Sequence, residues 1–169
     1  MHIDFNDKII LVTGSTSGIG RQIAKQLLEN NAKVIITYGH NDKMAEETMS
    51  ELHDYEENIF LIKANLENEN EINDLFLQIS KKYDRLDGVV NCAAYDKMLS
   101  IEKLTVEEYR HELNVNVVAR WLCIKNAIPL LKKSTVPRIV NIASRLGTKP
   151  MEDSIAYCTS EAATIMLTK

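Results

Sequence analysis

Thr13-Gly14-Ser15-Thr16-Ser17-Gly18-Ile19-Gly20 stands between an apolar, β-branched run at 8–12 and a helical pattern at 21–30. The run before it, Lys-Ile-Ile-Leu-Val, reads as a buried strand. After it, Ile19, Ile23 and Leu27 recur four apart with Ala24 and Leu28 beside them, which predicts one apolar helical face. A strand, a glycine-rich turn and a helix start form a geometry that receives a phosphate. Glycines let the backbone come close, and the unpaired N–H groups and positive end of the helix attract the anion. The segment therefore predicts a diphosphate held by Gly14, Ser15, Thr16, Ser17, Gly18, Ile19 and Gly20. Taken alone, it also fits a tight β–α turn with no ligand.

Outward from that stretch the same alternation continues. Asn30-Asn31 is a stop, and 33–37 reads as a second buried strand. A helix capped by Asn41 or Asp42 runs through Glu51-Leu52, and 59–63 is a third strand. Asn68 to Glu71 has capping-box spacing and opens a helix with Ile72, Leu75, Phe76 and Ile79 on one side. The fourth strand is 86–91, and Thr105 to Glu108 repeats the capping signal before a long helix reaching about Leu131. A fifth strand at 137–143 and a last helix from about Ser154 follow. Apolar strands without alternation belong to a parallel sheet covered on both faces. Right-handed crossovers then predict an α/β, doubly wound, Rossmann-like sheet with helices on both faces. Ligands in such sheets sit beyond the carboxyl ends of the strands, where Gly14 to Gly20, Asn65, Leu66, Asn91 and Ser144 fall.

Bulk properties narrow the function classes. The 169 residues fit one domain with a core of its own, and 45% hydrophobic against 26% charged residues is an ordinary globular balance. A net charge of −4 with scattered basic residues argues against a nucleic-acid partner. Cys92, Cys123 and Cys158 are odd in number and lack a CxxC pair, which reads as reduced thiols in a cytoplasmic protein. His2, His40, His53 and His111 show no ligand spacing, so no metal is expected. No apolar run spans a membrane, and the first residues do not form a signal peptide.

These motifs together resemble the short-chain dehydrogenase/reductases, most closely the 3-oxoacyl-acyl-carrier-protein reductase type, over the whole chain. Residues 13–20 look like that family's TGxxxGxG cofactor loop. Asn91-Cys92-Ala93-Ala94 sits where the family has NNAG, with two positions replaced. Asn116 matches the Asn of the long helix, Ser144 the catalytic Ser, and Tyr157, thirteen residues on, the Tyr of YxxxK. The resemblance implies catalytic Ser144, Tyr157 and Asn116. It implies cofactor contacts at residues 14–20, Asn65, Leu66, Asn91, Ala93 and Tyr157, a small carbonyl or alcohol substrate, and a homo-oligomer. Trp121, Leu122, Ile124 and Ile128 suit a subunit contact or core packing equally.

The chemistry at these positions stands without the family. Hydride transfer to a carbonyl needs a proton donor for the developing alkoxide, and a phenol serves if its pKa of about 10 is brought down. A Ser hydroxyl can hold the carbonyl oxygen. Asn in mid-helix is a poor helix former, so Asn116 needs a hydrogen-bonding reason.

Two departures stand out. Glu161 takes the place of the family's lysine one helical turn beyond Tyr157, where a carboxylate raises the phenol pKa. At that place it is expected to accept hydrogen bonds from the ribose, with Arg145 or Lys149 as the remaining sources of positive charge, and Glu161→Lys is expected to raise activity. The chain also ends in the last helix, so 1–169 reads as a single dinucleotide-binding domain lacking the C-terminal strands and substrate-covering segment. The strand at 137–143 is then an exposed edge.

The end of the second strand reads Thr37-Tyr38-Gly39-His40, with no carboxylate until Asp42. An acidic residue there would hold a ribose 2′-hydroxyl, so its absence leans to NADP(H), with NAD left open and His40 or Arg21 near a 2′-phosphate. The function expected is hydride transfer between NADP(H) and a carbonyl or alcohol, a 3-oxoacyl thioester being one such substrate. The other reading is a catalytically impaired nucleotide-binding homologue or inactive fragment that serves as a binding or interaction module.

Overall fold

The computed structural model describes residues 4–169, so the expectation for His2 lies outside the described residues. Five parallel strands form one sheet in the order β3-β2-β1-β4-β5: β1 (Ile9–Val12), β2 (Lys33–Tyr38), β3 (Ile59–Lys63), β4 (Gly88–Asn91) and β5 (Arg138–Asn141). The order reverses beside β1, which opens a crevice at the carboxyl ends of β1 and β4. The doubly wound α/β sheet expected from the alternation is present. Several strands are shorter than their apolar runs, because Leu86 and Asp87 precede β4 and Ile142 and Ala143 follow β5.

Both sheet faces are buried. Ile9, Leu11 and Ile35 point to the side covered by α3 (Glu69–Lys82) and α5 (Ala119–Leu131). Ile10, Val12, Val34 and Ile36 point to the side of α1 (Gly18–Glu29). Successive strand residues face opposite ways, so near-continuous apolar runs feed two cores. β5 forms one edge of the sheet and is mostly exposed, with Ile139 and Val140 among the exposed apolar side chains.

Local signals end the helices where expected. Asn31 takes φ +70° beyond α1, and the N–H of Ala32 returns to the Leu27 carbonyl, a left-handed stop that asparagine tolerates. Asn41 caps α2 (Asp42–Glu51) and Thr105 caps α4 (Val106–Leu113). Asn68 caps α3, while Glu71 turns to the Asn65 N–H and the Asn68 side chain, a variant of the expected box. The long helix to Leu131 is interrupted by a π-helical stretch, Asn114–Val118, between α4 and α5. Helix α6 (Ile155–Thr168) closes the chain. Among the described residues, no helix is long and apolar enough to cross a membrane, and no cluster of three or more His, Cys, Asp or Glu side chains is placed to hold a metal ion.

Candidate functional site

The turn after β1 is pinned before it can receive anything. Ser15 is fully buried; its hydroxyl donates to the Val12 carbonyl at 2.7 Å and accepts from the Thr37 N–H at 2.9 Å. The Thr16 carbonyl accepts from the Thr48 hydroxyl of α2 at 3.0 Å. Thr13 Oγ1 accepts from the N–H groups of Cys92 and Ala93 at 3.0 and 3.2 Å, tying this turn to the one after β4. Ser15 and Thr16 therefore hold the loop's shape and do not line the cleft, whereas Gly14, Ser17, Gly18, Ile19 and Gly20 do.

Each glycine has its own reason. Gly14 has φ +62°, and a Cβ there would lie 2.8 Å from Ala93 Cα. Gly18 opens α1 at φ +47°. A Cβ on Gly20 would collide with the Gly14 carbonyl. Ser17 gives α1 no side-chain cap and its first turn holds no acidic residue, so the positive end of the helix faces the cleft unopposed. Ile19 departs from the expected apolar face: it is 64% exposed at the cleft mouth, and α1 buries Gly20, Ala24, Leu27 and Leu28 instead. Ile19 lies on the side of the first helical turn that lines the cleft, while Gly20 in the same turn is buried.

The cleft holds about 570 Å³ and is walled by Gly14 and Ser17 to Gly20 on one side and by Cys92, Ala93, Val115, Ser144, Arg145 and Tyr157 on the other. A second hollow of about 210 Å³ continues over the end of β2, lined by Tyr38, His40, Asn65, Leu66 and Ala93. Asn91 lines neither; it is buried, and its Nδ2 donates to Asn141 Oδ1 across β4 and β5 at 2.9 Å. Asp42 is held by Lys63 at 2.7 and 2.9 Å, and that cation keeps its carboxyl below the usual range. Arg21 is engaged by Glu51 at 3.4 Å, which leaves His40 as the one of the two expected basic residues that lines the hollow.

Ser144 follows β5 and caps the short turn Arg145–Gly147, its hydroxyl accepting from the Leu146 N–H at 3.1 Å. Tyr157, on the first turn of α6, lines the same cleft as Ser144. Burial and the Glu161 carboxylate hold its phenol above the ordinary value, against Ser144 and the Arg120 guanidinium. Asn116 sits on the π-helical stretch, fully buried. Its Oδ1 accepts from the Tyr95 N–H at 2.8 Å, and its Nδ2 donates to the Tyr95 carbonyl at 2.8 Å and to Ser160 Oγ at 2.9 Å. That is the hydrogen-bonding reason a mid-helix asparagine needs, and it braces the loop after β4 against α6.

Glu161 corrects an expectation. It is 1% exposed and turned away from the cleft, so it does not offer itself to a ribose. Its Oε2 accepts from the Ser144 N–H at 2.7 Å, and Oε1 lies 3.9 Å from Nη1 of a buried arginine, Arg120. Arg145 lines the cleft; Lys149 does not.

With this geometry in view, the comparisons are specific. The short chain dehydrogenase family profile matches residues 8–169. The chain belongs to that family. A 3-oxoacyl-acyl-carrier-protein reductase of Aquifex aeolicus is 32% identical over 170 residues, covering 100% of this chain and 68% of that protein. An uncharacterized oxidoreductase of Bacillus subtilis is 30% identical over 169 residues, 100% of this chain and 63% of the other. Among solved structures, the Pseudomonas aeruginosa RhlG/NADP active-site complex superposes with a TM-score of 0.91 at 31% identity, over 98% of this chain and 66% of that one. The chain thus spans about two thirds of the length of these relatives.

In this member of the short-chain dehydrogenase family, the residues that sequence reasoning missed are Arg120, Ser160 and Thr164, all buried beside Asn116 and Glu161. Their one signal was a lone charge inside an otherwise apolar stretch, Val117-Val118-Ala119-Arg120-Trp121-Leu122. Helical periodicity gives such a charge no reason to be buried.

Proposed function

We propose that the chain is a single dinucleotide-binding domain, residues 1–169, of an oxidoreductase that transfers hydride between NADP(H) and a carbonyl or alcohol substrate. The observation that carries this reading is the glycine cradle. Side chains are barred at Gly14 and Gly20 by neighbouring backbone, beneath an uncapped helix end that opens on the cleft shared by Ser144 and Tyr157. A cavity kept open at backbone level next to a positive helix end fits a diphosphate. Gly14, Ser17, Gly18, Ile19 and Gly20 would hold that diphosphate, and Asn65, Leu66 and Ala93 the adenine side. His40 would face a 2′-phosphate, which the Lys63-neutralised Asp42 does not repel. Solved relatives bound to NADP, the RhlG complex among them, support the same choice.

When bound, the dinucleotide supplies or takes up the hydride. Ser144 Oγ then orients the carbonyl oxygen, and the Tyr157 phenol gives it a proton as negative charge develops. Asn116 keeps the two walls in register through Tyr95 and Ser160. A phenol held above its ordinary pKa is a weaker acid than the reaction asks for, and the Arg120 guanidinium is the cation that works against that rise. Relatives named 3-oxoacyl-acyl-carrier-protein reductases make a 3-oxoacyl thioester the first substrate to try. A homo-oligomer is the assembly that exposed Trp121 and Ile128 on α5 suit, Leu122 being turned into the core.

NADPH titration followed by its fluorescence tests the reading. Saturable binding is expected, weakened at least tenfold by Gly18→Val because a β-branched residue resists a positive φ. A flat titration overturns the assignment; binding without reduction of any ketone makes the chain a nucleotide-binding module.

A further inference from the structure

Helix α6 buries a polar face. Ser160, Glu161 and Thr164 all point inward against α5 and the π-helical stretch, and none of the three is more than 1% exposed. Arg120 enters this seam from α5 with 3% exposure. Its Nη1 donates to Thr164 Oγ1 at 2.6 Å and its Nη2 to the Ala93 carbonyl at 3.3 Å. Opposite it, Glu161 accepts the Ser144 N–H. Ala93 and Ser144 belong to the two turns that form one wall of the cleft, after β4 and after β5.

We propose that Arg120 and Glu161 are a charge-balanced positioning pair, which joins the Ala93 turn to the Ser144 turn through α5 and α6 and so sets where the Ser144 hydroxyl stands. Its catalytic meaning rests on the function proposed above; its geometric content does not. Neither charge is tenable alone at this depth. Arg120 Nε and Glu161 Oε1 have no hydrogen-bond partner, so each ion depends on the other, at 3.9 Å, for compensation. The turn comes within reach of Glu161 only because residue 147 is glycine: a Cβ there would lie 2.7 Å from the Glu161 carbonyl carbon. The titratable groups that bear on Arg120 are Glu161, Cys92, Tyr157 and Cys123, so the cation that works against the raised pKa of the Tyr157 phenol comes from α5 and not from the residue one turn along its own helix. A cation at 161 would then meet Arg120 without water to screen the repulsion. Glu161→Lys, expected from sequence to raise activity, is expected here to lower it.

Amide hydrogen exchange by NMR on the full chain, run beside NADPH titration and reductase assays, tests the pair. The Ser144 amide is expected to be protected in the wild type and to stay within tenfold of that value in Glu161→Gln, whose amide oxygen still accepts the bond. In Glu161→Ala it should exchange more than tenfold faster, with the Ala93 and Ser144 resonances moving together. On the activity side, Glu161→Ala should cut kcat at least tenfold while NADPH affinity changes less than threefold, and Glu161→Gln should recover part of kcat. Should Glu161→Ala not fold, Arg120→Leu/Glu161→Leu removes both charges at once; it is expected to fold and to show the same loss of Ser144 protection. An unchanged Ser144 amide in a folded Glu161→Ala or double variant overturns the proposal, and so does a Glu161→Lys protein more active than wild type. A flat wild-type NADPH titration overturns the function instead and leaves the exchange result to judge the pair.

Discussion

Asp87 and Glu161 are both buried carboxylates, and they lie at opposite ends of the sheet. Asp87 precedes β4 at the amino ends of the strands, where it accepts from the Ile9 N–H at 3.0 Å, from Arg85 Nε at 3.1 and 3.2 Å, and from the Ser134 hydroxyl at 2.6 Å. Burial works to raise its pKa, but Ser134, Ile9 and Arg85 together outweigh it and hold the carboxyl below the usual range. Glu161 has one hydrogen bond and a guanidinium at 3.9 Å, and burial wins: its pKa is raised. The donors supplied to a buried carboxylate, and not its depth alone, decide which way its pKa moves. The Asp87 end stitches β1, β4 and the chain after α5 together. The Glu161 end tolerates an under-satisfied charge where the cleft needs a wall held in place.

The largest effect expected from this contrast is at Asp87. Asp87→Ala strands the Ile9 N–H, the Ser134 hydroxyl and Arg85 at once and should cost about 3 kcal/mol in urea unfolding. A loss under about 1 kcal/mol would erase the distinction between the two ends.

Next comes Glu112 on α4, fully buried, neither oxygen with a hydrogen-bond partner. Burial pushes its pKa up to about 7, with Asp96 and Glu108 adding repulsion. A carboxyl with a raised native pKa favours the folded state while protonated. That contribution is lost as pH rises from the unfolded value, about 4.3, to about 7. Glu112→Met should therefore stabilise the protein by about 2 kcal/mol at pH 8 and by much less at pH 5, read from melts at both pH values. Asp87 has the opposite sign. Its lowered pKa gives stability that is present above about pH 4 and lost as pH falls through the native value, so Asp87→Asn should flatten the acid limb of the same curve.

The smallest effect is Ser134→Ala, which removes the shortest of Asp87's donors and should cost about 1 kcal/mol. It should also move the Asp87 carboxyl upward in a carbon-13 titration. No movement would mean that Arg85 and Ile9 alone keep the carboxylate ionised.

Much of the candidate site was legible because its signals are local. Gly14, Gly18 and Gly20 sit between a strand and a helix in one run of eight residues, and Asn116 stood out as a poor helix former. Ile19 misled because periodicity assigns a face to every turn of a helix, including the side of a turn that lines a cleft. Ser15 and Thr16 shared the motif with the cleft-lining residues yet face the scaffold, a distinction that depends on β2 and α2 packing around them. Glu112 looked like an ordinary charged position on a helix, and the one signal of Arg120, a charge among apolar neighbours, says nothing of its partner.

The order of strands and helices, the parallel sheet and the place of the glycine-rich turn were determined by the chain alone, since hydrophobic period and turn chemistry are written within a few neighbouring residues. Which charges face one another was decided only by the tertiary structure. Arg120 and Glu161 come from different helices, Coulomb attraction depends on distance in space, and no periodicity within either helix encodes that distance.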